Sequence, residues 1–167
     1  MAPPTDYALG KQIGQGGTSR GYRAHEVGPN RDVAIKIVTI SDPSQREQLF
    51  KCFEDERQNQ GLFSSERFVH VYNTGWTPQG NPYIAMELCD GALTDWLEDV
   101  RARKIDFDLN RALDIARQML TALAEMHQKN FVHRDVKPDN FFLKNGRVKL
   151  GDTGLSKRKD QLPKEAP

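Results

Sequence analysis

The sequence has few of the features that mark secreted or membrane proteins. It contains two cysteines, Cys52 and Cys89, without the spacing of a metal site. No apolar run approaches the roughly 18 residues of a membrane helix. The first residues, MAPPTDYALG, carry no basic segment followed by an apolar one. These absences predict an intracellular, cytoplasmic protein with two free thiols.

Neither sign of charge predominates. The 167 residues include 24 Lys and Arg against 23 Asp and Glu, which gives a net charge of +1. This balance gives no reason to expect nucleic acid or an acidic membrane as the main partner. The 13 glycines and 9 prolines are ordinary usage, which excludes a collagen-like or wholly disordered chain.

Hydrophobic periodicity divides the chain after Asp90-Gly91, where apolar residues change from strand-like to helical spacing. We expect strands at 7–13, 22–27, 32–40, 71–76 and 83–88, helices starting at Pro43 and covering 93–100 and 109–127, and a hairpin at 141–150. The predicted organisation is a flexible N-terminus at 1–6, a β-rich lobe at 7–88, a hinge at 87–91, a helical lobe at 92–157 and a mobile tail at 158–167. A cleft between two such lobes would be a natural small-molecule site.

A glycine loop, GQGGTSRG at 14–21, lies between two predicted strands. Glycine runs are often plain turns, and a dinucleotide fingerprint would need a helix directly after the glycines. The absence of GK[ST] excludes a Walker-type phosphate loop. A strand–glycine loop–strand arrangement can instead hold backbone amides over a phosphate chain as a lid.

Lys36 lies in the middle of the strand VAIKIV, on a face with apolar neighbours. A lysine on a solvated face is the plain alternative. In the helix that follows, Glu56 shares a stripe with Leu49 and Phe53, so it would be a buried acid in need of a cationic partner. Because Lys36 is the nearest inward-facing cation, we predict a Lys36–Glu56 pair that grips phosphates.

The stretch FVHRDVKPDNFF at 131–142 crowds polar groups between apolar flanks. Buried charges need partners, so the stretch is either a surface turn or a working site. As a site, Asp135 can accept a proton from a hydroxyl, and Lys137 can neutralise a transferring phosphoryl group. Asn140, with Asp152 of the later GDTG, can offer oxygens to Mg²⁺. This set of groups suits phosphoryl transfer to a hydroxyl.

Taken together, VAIK, the glycine loop, HRDVKPDN and D-T-G resemble the eukaryotic-type protein kinase family over about residues 7–157. The resemblance implies an α+β, two-lobe fold with a β-rich N-lobe and an incomplete helical C-lobe. It also implies ATP and Mg²⁺ as cofactors and transfer of the γ-phosphate to a protein hydroxyl. Lysine two residues after Asp135 resembles the serine/threonine branch.

On that resemblance, Asp135, Lys137, Lys36 and Glu56 would be catalytic, and His133 would organise the catalytic loop. Arg134 would bind a phosphate on the activation segment. The nucleotide would be bound by Ile13, Gly14, Gln15, Gly16, Gly17, Gly21, Ala34, Lys36, Met86, Glu87, Cys89 and Leu143. In this set Met86 would be the gatekeeper, the backbones of Glu87 and Cys89 would bond adenine, and Leu143 would lie beneath the ring.

Three positions depart from the family pattern. Ser19 stands at the third glycine of the loop, and Gly21 stands where a valine covers adenine. Losing that valine costs roughly 1.5–3 kcal/mol at most, so we expect weakened nucleotide binding. Thr153 replaces the aromatic residue of D-F-G, which keeps Asp152 but would loosen the switch between active and inactive geometry.

The chain also ends soon after D-T-G, before the activation segment and further helices of the family. Those parts would cover the second face of the helix at 109–127. We therefore expect one of three cases. The chain is an incomplete piece of a kinase, an unusually compact kinase, or a lobe whose uncovered helix face is covered by a partner protein. The leading hypothesis is an ATP-dependent serine/threonine protein kinase. The alternatives are a truncated, non-catalytic module that binds nucleotide or a partner protein, and a kinase of small molecules.

Overall fold

The computed structural model describes residues 6–39, 46–59, 62–153 and 157–158. Within the helix at 46–59, the side chains of Cys52 and Glu56 are among those outside the described part. The chain divides into two compact units. The first unit comprises residues 1–57 and 70–88, and the second comprises residues 58–69 and 89–167. Each unit is described by itself.

The first unit is built on a five-stranded sheet. The strands are β1 (Tyr7–Gln15), β2 (Ser19–Glu26), β3 (Arg31–Val38), β4 (Val71–Trp76) and β5 (Pro82–Glu87). The sheet is antiparallel throughout, in the order β1-β2-β3-β5-β4. Helix α1 runs over Arg46–Asn59 and belongs mainly to this unit.

Strand β3 shows how this sheet divides its two faces. Val33, Ile35 and Ile37 are fully buried, whereas the residues between them are half-buried. Successive side chains of a strand point to opposite faces, so one face of β3 forms the core and the other remains partly accessible. The core face also receives Tyr7, Ala24, Tyr83 and Ala85.

The second unit combines two helices with two small sheets. The helices are α2 (Leu93–Arg101) and α3 (Leu109–Gln128). Asp108 begins α3, because its side chain accepts the Asn110 N–H at 2.9 Å. The strands are β6 (Gly91–Ala92), β7 (Phe131–Val132), β8 (Phe141–Lys144), β9 (Arg147–Leu150) and β10 (Lys157–Arg158), which form the sheets β6-β8-β9 and β10-β7.

Helix α3 buries only one of its apolar faces. Ile115, Ala122 and Met126 lie in the core of the second unit. The helical spacing of the sequence places Leu109, Leu113 and Leu120 on one apolar face, but in the structure these leucines are exposed by 60% or more. An uncovered face of α3 is therefore observed, and it is the leucine face. Among the described residues, no helix is both long and apolar enough to cross a membrane.

The predicted boundary of the β-rich lobe needs a correction. The sequence assigns 58–69 to that lobe, but the structure groups these residues with the second unit. Phe63 stacks on Phe68 at 4.9 Å and meets Phe131 edge-on at 5.4 Å. Leu150 also bonds the segment twice through its backbone, to Arg67 and Val69. The burial of these aromatic side chains therefore places the segment in the second unit, although it follows the β-rich lobe directly in the sequence.

Several element ends also differ from the prediction. Strand β1 continues to Gln15 and β2 begins at Ser19, because Gly14 pairs with Gly21 and Gln15 with Arg20. The glycine loop is therefore reduced to 16–18. At the other end, Arg158 was assigned to the tail but pairs with Phe131. The predicted tail from 159 onwards and the N-terminus at 1–5 lie outside the described residues.

Candidate active site

The glycine segment forms the open end of the β1–β2 hairpin. The Gly16 N–H donates to Ser19 O at 2.8 Å, which closes the turn. A Cβ at Gly17 would meet nothing within 4 Å, so the turn has open space beside it. Ile13 is exposed, at 51%. Backbone amides at an accessible hairpin tip can meet a phosphate chain.

Gly21 leaves a gap in the row of side chains that crosses the sheet. It pairs with Lys36 on β3, which in turn pairs with Ile84 on β5. Because paired residues in antiparallel strands point to the same face, Gly21 and Lys36 share the accessible face. A Cβ at Gly21 would meet Gly14 N at 3.6 Å and Ile13 Cγ1 at 3.7 Å, which is ordinary contact. The missing side chain is therefore not enforced by crowding.

Ala34 and Met86 are brought together by the register of β3 and β5. They are direct partners on the accessible face, one row from Lys36. Glu87 ends β5, and its backbone N–H donates to His70 O at 2.8 Å. Any adenine contact of Glu87 would therefore use another backbone group. The predicted partner of Lys36, the Glu56 side chain, lies outside the described residues, so that pair stays a prediction.

The catalytic-loop stretch lies in the second unit and is held together by several hydrogen bonds. Asp135 Oδ2 lies 2.7 Å from Lys137 Nζ. The Asn140 amide Nδ2 donates both to Asp135 Oδ2 at 3.0 Å and to Asp135 O at 2.7 Å. Pro138–Asn140 forms a single 3-10 turn, for which Pro138 supplies the fixed φ at N1. Two oxygen acceptors at Nδ2 orient the amide and direct its Oδ1 the other way.

Asp135 is a carboxylate held ionised by its neighbours. The hydrogen bond from the Lys137 ammonium lowers the pKa of Asp135, partial burial opposes this, and the Asn140 amide adds to the lowering. The hydrogen bond to Asp135 is also the main reason why the pKa of Lys137 is raised. Both groups are therefore charged at neutral pH.

His133 joins the catalytic loop to the strand that precedes Asp152. The ring is 1% exposed, and Nε2 lies 3.1 Å from Gly151 O. The Asp135 N–H donates to Nδ1 at 3.4 Å. A carbonyl accepts a hydrogen bond and an N–H donates one, so Nε2 is the donor and Nδ1 the acceptor of the His133 ring.

Gly151 is the residue that sequence reasoning missed. Its N–H donates to Asn140 O at 2.9 Å, and its carbonyl accepts from His133. A Cβ there would lie 2.8 Å from Phe142 Cε2 and 3.2 Å from Val69 Cγ2, so any larger residue would force these side chains to shift. Through these bonds Gly151 connects the backbones that carry Asn140 and Asp152. The available signal was the glycine directly before Asp152 in GDTG.

Asp152 begins the segment beyond β9 in a left-handed backbone conformation, with φ 52°. Non-glycine residues with positive φ are uncommon and concentrate at functional sites. In the described part of the chain, no group of three or more His, Cys, Asp or Glu could hold a metal ion. The predicted Mg²⁺ site is instead a carboxylate with an amide oxygen. Magnesium commonly takes few protein ligands together with substrate phosphates, so Asn140 and Asp152 suit it.

Cys89 and Leu143 lie close together along the second unit. Asp90 N–H donates to Leu143 O at 2.8 Å, and Leu143 pairs with Gly91. Cys89 itself is half-buried. Backbone hydrogen bonds thus fix Leu143, the residue predicted beneath adenine, to Asp90 and Gly91, which directly follow Cys89.

Comparisons with known proteins show the family to which this chain is similar. The family model for the protein kinase domain matches residues 7–165. Serine/threonine-protein kinase PknB of Mycolicibacterium smegmatis is 36% identical over 155 residues, covering 90% of this chain and 24% of the relative. PknB of Mycobacterium tuberculosis H37Rv is 34% identical over the same length. PknA of Corynebacterium glutamicum is 35% identical over 164 residues, covering 95% of this chain and 34% of the relative. The chain therefore spans about a quarter to a third of these curated relatives.

Proposed function

Because this chain belongs to the protein kinase family, we propose that it is the nucleotide-binding and catalytic part of a serine/threonine kinase. Its reaction would transfer the γ-phosphate of Mg·ATP to a serine or threonine hydroxyl of a protein. The net charge of only +1 over the whole sequence supports a protein rather than a nucleic acid as the substrate.

One observation carries the proposal: the arrangement around Asp135. Lys137 and Asn140 both occupy Oδ2, at 2.7 Å and 3.0 Å, which leaves Oδ1 to receive a proton. The same lysine carries a charge that can approach a transferring phosphoryl group. A carboxylate, a cation and an amide fixed on one short turn are the groups that phosphoryl transfer requires.

In the proposed reaction, the substrate hydroxyl oxygen bonds to the γ-phosphorus as the bond to the β-phosphate oxygen breaks and ADP leaves. Asp135 holds the hydroxyl in line and takes its proton as the new bond forms. Lys137 stabilises the charge on the transferring oxygens. Asn140 and Asp152 would hold Mg²⁺, which neutralises the phosphate oxygens when bound.

The first unit supports the nucleotide half of the proposal. Lys36 lies on the accessible sheet face, in the same row as Gly21 and one row from Ala34 and Met86. The glycine hairpin would cover the phosphates, and Lys36 would grip them. The absent side chain at Gly21 predicts that adenine is held less tightly than by a valine.

The test compares Asp135→Asn with the unchanged chain. We expect phosphoryl transfer to a serine-containing protein to fall by about 10²–10⁴-fold, because the proton acceptor is lost. Thermal stabilisation by Mg·ATP should remain in this variant and disappear in Asp152→Ala. Equal turnover by Asp135→Asn would refute the catalytic assignment.

A second function, a non-catalytic module that binds nucleotide or a partner protein, is favoured by the uncovered face of α3. Leu109, Leu113 and Leu120 are exposed, and an apolar stripe of this kind is typical of an interaction surface. Nucleotide binding without any turnover, unchanged by Asp135→Asn, would favour this module over the kinase.

A further inference from the structure

Asp90 is joined to the β8–β9 hairpin by two hydrogen bonds. Its backbone N–H donates to Leu143 O at 2.8 Å. Its side-chain Oδ2 accepts the backbone N–H of Asn145 at 2.7 Å. One residue thus bonds both a strand of the hairpin and its turn.

The geometry of the turn explains why an acceptor is needed there. Asn145 and Gly146 have φ of 49° and 76°, the conformation of a type I′ turn closed by the Lys144–Arg147 pair. In such a turn the first central N–H points away from the strand ladder. The Asp90 carboxylate supplies its acceptor, and a bond from an N–H to an ionised oxygen is short and strong.

The chain that follows Asp90 is held at its far end as well. Gly91 pairs with Leu143 and Ala92 with Phe142 in the small sheet. The Ala92 N–H donates to Asp95 Oδ2 at 2.8 Å, at the start of α2. Residues 90–95 therefore have little freedom to move relative to β8 while the Asp90 bond is intact.

We infer that Asp90 is a positioning residue for the nucleotide base, through its clamp on the turn at Asn145. The inference rests on the proposed function, in which Cys89 bonds adenine and Leu143 lies beneath it. Adenine is planar, so it must reach its hydrogen-bonding partner with one edge and its stacking partner with one face at the same time. The clamp sets the distance between the two, because Asp90 adjoins Cys89 in sequence and bonds both Leu143 and the turn that follows it.

The experiment measures the affinity of adenine, adenosine and Mg·ATP by NMR titration of the chain and of Asp90→Ala. We expect all three dissociation constants to rise about fivefold, which corresponds to about 1 kcal/mol. The KM for ATP should rise by the same factor, and kcat should stay within about twofold because Asp90 touches no reacting atom. A loss confined to adenosine and Mg·ATP would mean a direct ribose contact and would overturn the inference.

Two matched variants separate positioning from general damage. Asp90→Asn keeps an oxygen acceptor for the Asn145 N–H, although an uncharged one, so most of the lost adenine affinity should return. Asn145→Gly keeps the N–H and tolerates the positive φ, so it should also bind normally. Asp99→Ala removes an exposed aspartate that bonds Lys104 in the same unit and serves as the surface control.

The possible failures are distinguishable. If the unchanged chain binds none of the three ligands, the proposed function fails and the inference falls with it. If the chain binds adenine and Asp90→Ala binds it equally well, only the inference fails. Should Asp90→Ala not melt cooperatively, Asp90→Asn decides the question: a full fivefold loss of adenine affinity in that folded variant contradicts the clamp.

Discussion

The two units place their candidate site residues in different ways. In the first unit, Lys36, Ala34 and Gly21 are arranged by the register of long strands, and the core that supports them lies on the opposite face. In the second unit, Asp135 and Asn140 lie in a short loop and are held by individual hydrogen bonds from the Asn140 amide. A regular sheet distributes the work of positioning over many bonds, whereas a loop concentrates it in a few.

The largest expected effect is in the loop, where we predict that His133→Ala lowers the free energy of unfolding by about 3 kcal/mol. The substitution leaves a cavity and deprives the buried Gly151 carbonyl of its donor. Urea denaturation measures the loss. The neighbouring Arg134→Ala, at an exposed position, should change stability by less than about 0.5 kcal/mol. Equal effects of the two would mean that His133 does not hold the loop.

Next in size is a matched pair of substitutions in β3 that tests the division of sheet faces. Val33→Ala should cost about 2 kcal/mol, because Val33 is fully buried in the core. Val38→Ala, on the half-buried face, should cost less than half as much. The same denaturation experiment compares them. A reversal would show that the accessible face contributes more to stability than the core face.

A smaller effect is expected at the gap in the row beside Lys36. Gly21→Val should tighten nucleotide binding by up to about tenfold, since the new side chain has room and offers apolar surface to adenine. Isothermal titration with Mg·ATP measures the gain. Gly17→Val, at the open hairpin tip, is the control and should not improve affinity. An unchanged affinity for Gly21→Val would contradict the assignment of this face to the base.

The smallest effect is a shift in pH dependence. In the unchanged chain the pKa of Asp135 lies below its ordinary 3.8, so Asp135 stays ionised throughout the neutral range. Lys137→Ala removes the main cause, so the acid limb of residual activity, or an NMR titration of the carboxyl, should move to higher pH. The control variant Lys104→Ala removes only a partner of Asp99 and should leave the acid limb at its original pH.

The corresponding effect on stability has a fixed sign. A carboxyl whose pKa is depressed in the folded chain stabilises the fold above its ordinary pKa, and this contribution disappears as the pH falls through the folded value. For Asp135 the loss of stability therefore begins below about pH 4, and Lys137→Ala should make this loss of stability smaller. A profile unchanged by that variant would mean that the ion pair contributes nothing in solution.

The elements themselves were predictable because their patterns are local. The alternation in VAIKIV, the Asn145-Gly146 turn and the helical spacing of α3 each predicted an element that the structure contains. The α+β class and the family resemblance are confirmed as well. The inward face of α3 was less predictable, since Ile115, Ala122 and Met126 are no more apolar than the exposed leucines.

Local patterns in the sequence predict the strands, the helices and the polar groups of the candidate site, because periodicity and motif spacing act over a few residues. The tertiary structure is needed to show that residues 58–69 belong to the second unit, that Gly151 connects the loops of Asn140 and Asp152, and that Asp90 bonds the turn at Asn145. Each of these depends on a contact between residues far apart in the chain. Such contacts form only when the core has packed and thereby fixed which faces are buried, and no local sequence pattern predicts that outcome.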